Sequence, residues 1–345
     1  MRAVVLLRQG SPVTPNIAFQ ADWPELPATP PGHLQIKTLA SAFNHMDLWV
    51  GRGLPGITGY PRITGCDACG IVENVGEGVP QSWVGKRVII NAAIRLPERT
   101  SPTDPPGSTL APNYELLGEH HNGFFRERFH APAANCAAVD GCDPTEAAAF
   151  GLCALTAYSM IVTKGNLRPG QSVLVTGIGG GVATMALTIA KMLGCPTAVT
   201  SRHQWKLDRA KHLGADLCVL DSGQDWSKEV RAWTDKRGVD MAVDSTGKAT
   251  HLTCIKSLAR GGAYVTPGAT TGADATTDLT RIFWNQLRLL GSTMGTNDEF
   301  REVVSLFRAG KLKPAIDKVY KAEQCTDAYA RLEAGEQFGK IVLTW

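Results

Sequence analysis

The sequence predicts an α/β protein that combines a β-rich domain with a doubly wound parallel sheet. Short apolar or alternating runs between turn residues fill residues 1–145, which is typical of short strands. From Ser172 onward, strand-like and helix-like segments alternate. Such alternation indicates βαβ units, in which the strands lie parallel. A length of 345 residues also favours two domains over one.

The N-terminal part supplies the predicted strands of the β-rich domain. They include HLQIKTLASAFN, GIVENVGEGVP and VGKRVII. The opening residues MRAVVLLRQGSP hold only five apolar residues in a row before Arg8, which indicates a first strand and not a secretion signal. Residues 97–113 are rich in Pro, Ser and Thr and are predicted to form a loop or a partly ordered lobe.

A helix is predicted in DPTEAAAFGLCALTAYSMIV, where Asp143 or Thr145 can cap it and Pro144 suits its first turn. The strands predicted beyond it are SVLVTG, TAVTS, LCVL, VDMAVDS and AYVTPG. The helices between them are VATMALTIAKMLG, QWKLDRAKHLGA and THLTCIKSLARGG, the last one ended by its glycines. We therefore assign residues 146–285 to the parallel-sheet domain, and residues 1–145 and 286–345 to the β-rich domain.

The glycine loop in VLVTGIGGGVATMAL is the strongest single signal in the chain. A β-branched strand runs into Gly177, Gly179, Gly180 and Gly181 and then directly into a helix. Glycines let the backbone approach a pyrophosphate closely, and the free N–H groups at the helix start bind the anion. The loop predicts a dinucleotide site; the alternative is a glycine turn without a ligand.

The end of the second strand of this domain bears on the choice of cofactor. Sites that prefer NAD place an acid there, which binds the ribose hydroxyls. Here the position is Ser201, followed by Arg202, with Lys206 one helical turn later. Two cations and no acid suit the 2′-phosphate of NADPH, so NADPH is predicted over NADH. Alternatively, Arg202 and Lys206 are ordinary solvated charges.

Composition excludes several classes of function. A net charge of +3 is too small to indicate binding to nucleic acid or to a membrane surface. We find no apolar run that approaches the ~20 residues of a membrane helix. The nine cysteines are scattered and odd in number, which favours reduced thiols in a cytoplasmic protein.

Several motifs, in one order, resemble those of the medium-chain dehydrogenase/reductase superfamily. They are AFNHMDLWVGRG, TGCDACGIVENVGEGV, TAY, the glycine loop, VDSTG, LLGSTMGT and FGKIVL. The resemblance covers nearly the whole chain and is closest to the quinone oxidoreductase-like and zinc-binding alcohol dehydrogenase-like branch. It implies a GroES-like catalytic domain, a Rossmann domain, a catalytic cleft between them, and a homodimer or tetramer.

The resemblance raises the question of zinc. Zinc-dependent members use a Cys, a His and a Cys as catalytic ligands, and the matching positions here are Asn44, Cys66 and Leu152. Because a tetrahedral site needs three protein donors, no catalytic zinc is expected. An irregular metal site is the alternative, formed by Cys66, Asp67, Cys153 and His45.

Two further features of the sequence bear on metal binding, the Cys66–Cys69 spacing and residues 97–113. Cys69 lies in ACGIVENV, which is predicted to be a strand, and positions three apart in a strand face opposite sides. Cys66 and Cys69 are therefore expected to diverge, which leaves Cys66 as a thiol of the substrate pocket. The family's structural zinc needs four closely spaced cysteines, and residues 97–113 contain none, so this zinc is also expected to be absent.

Without zinc, the resemblance implies a reductase whose hydrogen-bond donors stabilise charge on a carbonyl oxygen. Asn44 is the candidate donor and Asp47 its candidate orienting group, although either could be purely structural. Trp49 is predicted to form an apolar wall of the pocket. GEHHNG places His120, a candidate pocket residue, beside His121, and either histidine is a candidate general acid. The alternatives are that both are ordinary polar loop residues and that solvent supplies the proton.

The resemblance also assigns residues to the cofactor. His45 and Lys340 match positions that can face the pyrophosphate, and Thr156 and Val182 would flank the nicotinamide. The carboxyl edge of the parallel sheet, where open α/β sheets bind ligands, is predicted to carry Ser245, Gly268 and Ala269. The segment FWNQLRLLGSTM is predicted to be the next strand, which in the family pairs with its twin across a dimer.

The sequence thus predicts an NADPH-dependent, zinc-independent oxidoreductase that acts on quinones or other conjugated carbonyls. Two alternatives stay open at this point. One is an alcohol or aldehyde dehydrogenase with an irregular zinc site. The other is a non-catalytic NADPH-binding sensor or partner protein.

Overall fold

The computed structural model describes residues 1–57, 59–95, 109–111 and 114–345. They divide into two compact units. Unit 1 comprises Met1–Leu152, Gly295–Arg308 and Ile316–Trp345, and unit 2 comprises Cys153–Met294 and Ala309–Ala315. The Pro-rich segment 97–113, where the structural zinc lobe was considered, lies outside the described residues except for 109–111.

Apart from the parallel pair of its last two strands, Ile316–Lys321 and Lys340–Thr344, unit 1 is built on strands that pair antiparallel. They are β1 (Ala3–Leu6), β2 (Ile17–Gln20), β3 (His33–Ala42), β4 (Asp67–Val75), β5 (Arg87–Ile90), β6 (Ala93–Arg95), β7 (Tyr114–Leu116), β8 (Arg128–Pro132), β9 (Cys136–Ala138), β16 (Ile316–Lys321) and β17 (Lys340–Thr344). A seven-stranded sheet has the order β16-β17-β3-β4-β5-β9, with β8 also paired to β3. The predicted β-rich domain is confirmed.

The helices of unit 1 pack on this framework. They are α1 (His45–Arg52), the first part of α2 (Pro144–Tyr158), α8 (Asn297–Arg308) and α9 (Cys325–Glu333). The rings of Phe43, Phe125 and Tyr329 form the centre of one core, with centroids 4.6 and 4.8 Å apart for Phe43–Phe125 and Phe43–Tyr329. This core holds β1, α1 and α9 against one another, and it fixes the start of α1, where the candidate site lies.

Unit 2 is a parallel sheet with helices. Its strands are β10 (Val173–Val175), β11 (Thr197–Ser201), β12 (Leu217–Leu220), β13 (Val239–Val243), β14 (Leu258–Thr266) and β15 (Arg288–Gly291). Its helices are the rest of α2, α3 (Gly181–Met192), α4 (Gln204–His212), α5 (Ser227–Trp233), α6 (His251–Ser257) and α7 (Leu279–Asn285). All strand pairs are parallel, in the order β12-β11-β10-β13-β14-β15. This is the doubly wound arrangement, confirmed as predicted, and its strand order reverses between β10 and β13.

Three local predictions differ from the structure. The helix predicted in THLTCIKSLARGG ends at Ser257, because Leu258 already begins β14 beside β13. In FWNQLRLLGSTM, the first three residues close α7, and the strand is only Arg288–Gly291. That strand pairs with β14 in unit 2, so the unit boundary falls after Met294 and not at residue 286.

The predicted helix after Asp143 is present, and its cap is Asp143. The carboxylate accepts hydrogen bonds from the backbone N–H groups of Thr145 and Glu146, at 2.9 and 3.0 Å. The helical stretch Pro144–Lys164 has 21 residues and contains an 18-residue window with a mean hydropathy of 1.4. Unlike the apolar runs read from the sequence, it is long and apolar enough to cross a membrane, but 78% of that window is buried within the protein, as in the core helix of a soluble protein.

Candidate active and cofactor-binding sites

A buried polar cluster in unit 1 contains the candidate residue Asn44. The Lys340 ammonium donates to Asn44 Oδ1 at 2.5 Å and to Asp67 Oδ2 at 2.8 Å. Asn44 Nδ2 donates to the same Asp67 oxygen at 2.9 Å. The side chains of Lys340 and Asp67 are 2% and 1% exposed, so this ion pair is fully enclosed. A pyrophosphate bound by Lys340 would therefore compete with the buried Asp67 carboxylate, a partner that the sequence did not indicate.

Asp47, the candidate orienting group, binds two backbone N–H groups. Its carboxylate accepts from Asn44 N and from Gly65 N, both at 2.8 Å. Burial raises the pKa of Asp47 to about 6, against the opposing effects of these N–H groups and of Lys340. The carboxylate thus ties the start of α1 to the turn that precedes Cys66. It acts on the site by positioning these two segments.

Cys66 lies next to this cluster and is fully buried. Burial, followed by the carboxylates of Asp47 and Asp67, raises the pKa of its thiol well above the usual value. A side chain at Gly118 would stand 2.8 Å from the sulfur, so that glycine packs directly on it. Cys66 and Cys69 are both unbonded thiols, and Cys69 lies within β4. The thiol is therefore held in its protonated form.

Three other candidate site residues, His45, Trp49 and His120, belong to unit 1. His45 and Trp49 stack edge to face on α1, with centroids 5.4 Å apart. Burial, and then Arg52, lowers the pKa of His45, which disfavours the charged form that would bind a phosphate. The His120 ring is exposed, and its Nδ1 accepts the backbone N–H of Leu116 at 3.1 Å. The roles of these three residues toward substrate or cofactor stay predictions.

The positions that match zinc ligands were tested for their fit to the metal. Asn44 offers an amide already bonded to an ammonium, Cys66 a buried thiol, and Leu152 only an apolar side chain. Leu152 instead donates its backbone N–H to Asp67 Oδ1 at 2.7 Å. Within the described ranges, no group of three or more His, Cys, Asp or Glu side chains is arranged for a metal ion. This donor set does not fit a tetrahedral zinc.

The glycine loop of unit 2 has the geometry of a dinucleotide site. It leaves β10, turns at Gly177 (φ 60°) and Gly179 (φ 126°), and enters α3 with Gly180 as the N-cap. A side chain at Gly179 would stand 2.7 Å from Cδ of Lys206, so the lysine stem lies across the loop. The loop sits where the strand order reverses, at the carboxyl end of β10, which is where doubly wound sheets bind dinucleotides.

The residues predicted to read the cofactor ribose lie at the end of β11. Ser201 is the last residue of the strand, and its hydroxyl accepts the backbone N–H of His203 at 3.2 Å. Arg202 follows and is exposed. Lys206 is only 8% exposed, and its ammonium lies 5.2 Å from the ring centroid of Trp205. A serine and two cations thus stand where NAD-preferring sites carry an acid.

The remaining cofactor candidates occupy unit 2 as well. Thr156 is buried on α2, with its hydroxyl 3.7 Å from Sδ of Met294, and Val182 is half-buried in the first turn of α3. The loops after β13 and β14 are tied together, since the hydroxyl of Thr270 donates to the Ser245 carbonyl at 3.1 Å. Ser245, Gly268 and Ala269 follow the carboxyl ends of β13 and β14, and their contact with a cofactor stays a prediction.

A second buried carboxylate, Asp244, supports the glycine loop and was not singled out from the sequence. It is fully buried at the end of β13. Thr176, just before the loop, donates to it at 2.5 Å, Thr250 at 2.9 Å and Tyr264 at 2.8 Å. The motif VDSTG could have indicated this role, because a buried acid at the end of a strand requires hydrogen-bond donors such as nearby hydroxyl groups. Asp67, within GCDACG, was expected only as a ligand of an irregular metal site, and its ion pair with Lys340 was not predicted.

Comparisons with known proteins agree with this architecture. The family model described as "Alcohol dehydrogenase GroES-like domain" matches residues 30–141, and the one described as "Zinc-binding dehydrogenase" matches residues 181–309. A zinc-type alcohol dehydrogenase-like protein, YogA, of Leptosphaeria maculans is 30% identical over 92% of both chains. An acryloyl-coenzyme A reductase of Sulfurisphaera tokodaii is 27% identical over 92% of this chain and 95% of its own.

A solved structure is similar over the full length of both chains. It is described as an NAD-dependent alcohol dehydrogenase, has 36% sequence identity, and superposes with a TM-score of 0.92. Its likeness covers both the β-rich unit and the parallel-sheet unit. The chain therefore belongs to the medium-chain dehydrogenase/reductase superfamily and is an oxidoreductase.

Proposed function

We propose that this oxidoreductase uses NADPH, works without zinc, and reduces quinones or other conjugated carbonyls such as enones and alkenals. The observation that carries the proposal is the Lys340 ammonium bound to both Asn44 and Asp67. Asn44 is the position that matches the first zinc ligand of zinc-dependent relatives. A divalent ion placed beside Asn44 would meet a buried like charge and only one soft donor, Cys66.

Unit 2 supplies the residues for the cofactor. The backbone N–H groups around Gly179–Gly181 and the start of α3 suit the pyrophosphate. Arg202 and Lys206 suit a 2′-phosphate, because both are cations near the end of β11 and Ser201 does not repel it. When bound, NADPH supplies the hydride.

Unit 1 supplies the polar residues for the carbonyl. Because Oδ1 of Asn44 accepts from Lys340, the amide nitrogen is fixed as the donor end of this side chain. One of its two N–H groups donates to Asp67, and the other is the proposed donor to the carbonyl oxygen, where it would stabilise the developing negative charge. Asp47 holds the backbone of Asn44 in place. The proton is then taken from solvent or from His120.

The names of the relatives support two candidate activities. The acryloyl-coenzyme A reductase, by its name, acts on a conjugated thioester, which favours conjugated carbonyls here. The zinc-type and NAD-dependent alcohol dehydrogenases favour the second candidate, an alcohol dehydrogenase with an irregular zinc site. The donor set at Asn44, Cys66 and Leu152 weighs against that candidate.

A substrate panel tests the proposal. NADPH oxidation is followed with a benzoquinone, a 2-alkenal and a simple saturated aldehyde, each with and without a chelator. Quinone or alkenal turnover that survives chelation is expected. Chelator-sensitive turnover of the saturated aldehyde would instead support the alcohol dehydrogenase. Tight NADPH binding with no turnover would support a non-catalytic sensor.

Cofactor preference has a separate test. Replacing both Arg202 and Lys206 with Ala should weaken NADPH binding about 10- to 100-fold and leave NADH binding nearly unchanged, since charge-assisted bonds to the 2′-phosphate are lost. Lys211→Ala, on the same helix α4, is the matched control and should change neither. Tighter binding of NADH than NADPH by the unmodified protein would contradict the cofactor assignment.

We also propose that two copies associate through the β15 edge. β15 ends the six-stranded sheet, and Leu289 on it is 41% exposed. The neighbouring α7 exposes Leu279 (71%), Phe283 (66%) and Trp284 (67%). An open strand edge beside an apolar patch favours pairing with a second copy. Leu289→Lys should shift the mass measured by light scattering toward the monomer, and an unchanged mass would count against this face.

A further inference from the structure

A basic pocket of about 390 Å³ lies in unit 2, lined by residues outside the candidate sites above. Six cationic side chains line it: Lys228, Arg231, Arg237, Lys256, Arg260 and Arg281. Five of them lie on α5, the end of α6, the start of β14 and α7, and Arg237 lies in the segment between α5 and β13. A single carboxylate, Asp225, is among the lining residues.

The pocket is separate from the dinucleotide site. Leu258, which lines it, is the first residue of β14, whereas Gly268 follows the other end of that strand. A nine-residue strand spans roughly 25 Å from its first to its last Cα. The pocket therefore lies at the amino edge of the sheet, and dinucleotides bind at the carboxyl edge.

Half of the six cations are already paired. The ion pairs are Lys256 with Asp225 (2.8 Å), Arg237 with Asp240 (3.0 Å) and Arg281 with Asp278 (3.4 Å). Two of these pairs join residues three positions apart, and only the Lys256–Asp225 pair joins separate segments. Because a carboxylate compensates each of these three charges, the paired cations shape the pocket but add little net attraction for an anion.

The other three cations are not compensated. Arg231 donates to the carbonyl oxygens of Leu258, at 3.2 Å, and Lys236, which fixes its guanidinium without neutralising it. Lys228 and Arg260 are exposed and form no ion pair with any residue in the described part of the chain. Three like charges around one cavity repel one another and raise the local concentration of anions.

The lining also limits the chemistry of the ligand. Guanidinium groups bind phosphate and carboxylate oxygens in a bidentate manner. Leu258 is the one apolar residue among the described residues of the lining, and none of them carries an aromatic ring on which a base could stack. We propose that this pocket binds a compact oligophosphate, such as diphosphate or triphosphate, independently of the nicotinamide cofactor.

The test is calorimetric titration of the full-length protein with sodium triphosphate while saturating NADP⁺ occupies the dinucleotide site. Specific binding is expected, at least tenfold tighter than that of orthophosphate or of citrate at matched ionic strength. The double variant Lys228→Ala/Arg260→Ala should lose at least tenfold in triphosphate affinity and keep its NADP⁺ affinity. Lys311→Ala/Lys313→Ala removes two exposed cations elsewhere and should behave like the unmodified protein.

Three results would overturn the proposal. One is triphosphate binding that disappears when NADP⁺ is saturating, because the anion would then occupy the cofactor site. Another is equal affinity in the Lys228/Arg260 double variant and in the Lys311/Lys313 control. The third is citrate binding as tight as triphosphate, which would assign the pocket to carboxylates. Unchanged NADP⁺ affinity in each variant shows that the fold is intact.

Discussion

Two buried carboxylates, Asp67 in unit 1 and Asp244 in unit 2, differ in the groups that donate hydrogen bonds to them. Asp67 is held by an ammonium, an amide and a backbone N–H. Asp244 is held by hydroxyl groups and one backbone N–H, that of Thr246. The first arrangement places a full positive charge where zinc-dependent relatives have a metal ligand. In the second, no cation in the described part of the chain pairs with the carboxylate at the base of the glycine loop.

This difference predicts how substitutions around each carboxylate affect the protein. A buried ion pair is costly to break on one side, because the remaining charge has no partner. A carboxylate among hydroxyls loses one hydrogen bond at a time. Substitutions in the Lys340 cluster should therefore damage the fold, and substitutions around Asp244 should affect the cofactor loop first.

Removing the Lys340 ammonium is expected to have the largest effect. Lys340→Met leaves the Asp67 carboxylate buried and unpaired, and should lower the free energy of unfolding by about 3–5 kcal/mol. The matched control is Lys248→Met, which breaks the exposed Lys248–Asp274 pair (2.7 Å) and should leave the free energy of unfolding nearly unchanged, because solvent screens that pair. Denaturant unfolding of both variants measures the difference. Equal losses would show that the Lys340 pair is no stronger than a surface pair.

The pH dependence of stability tests Asp47. Its pKa in the folded protein is raised to about 6 from an ordinary value of 3.8, so folding favours the protonated acid. This contribution to stability is present below pH 4 and is lost as the pH rises through 6, amounting to about 3 kcal/mol. Asp47→Asn should remove that slope from the unfolding free energy between pH 4 and 6, whereas Asp22→Asn, at an exposed site, should keep it. Parallel curves for the wild type and Asp47→Asn would contradict the raised pKa.

Asp244→Asn should have a smaller effect on stability and a clear one on the cofactor. In the wild type the hydrogen-bond donors around Asp244 share two carboxylate oxygens, whereas the Asn amide offers them only one oxygen. The loss should lower the free energy of unfolding by about 1–3 kcal/mol. Because Thr176 immediately precedes the glycine loop, the KM for NADPH should rise more than kcat falls. Tyr264→Phe removes a single donor and serves as the milder control. A fall in kcat with an unchanged KM would show that Asp244 does not act through the loop.

The sequence predicted unit 2 better than unit 1, for a physical reason. The cofactor loop depends on backbone geometry, and Gly177–Gly181 between a strand and a helix is a local pattern. The cluster in unit 1 joins Asn44, Asp67 and Lys340, which lie up to 296 positions apart. Pairing at that distance follows from the register of β3, β4 and β17, which no local pattern encodes.

The errors in unit 2 have a similar origin. LARGG has the glycines of a helix end, yet it forms the start of β14, because the neighbouring β13 offers its backbone there. At LARGG, tertiary pairing thus outweighs local propensity. FWN was assigned to the strand that follows it, but it closes α7.

The metal content of active protein tests the central claim most directly. The protein is purified without added metal, its zinc is measured by mass spectrometry, and NADPH-dependent turnover of a benzoquinone and a 2-alkenal is followed in the same preparation. The account predicts substoichiometric zinc and turnover that a chelator leaves unchanged. Stoichiometric zinc, with turnover lost on chelation and restored by zinc, would contradict it.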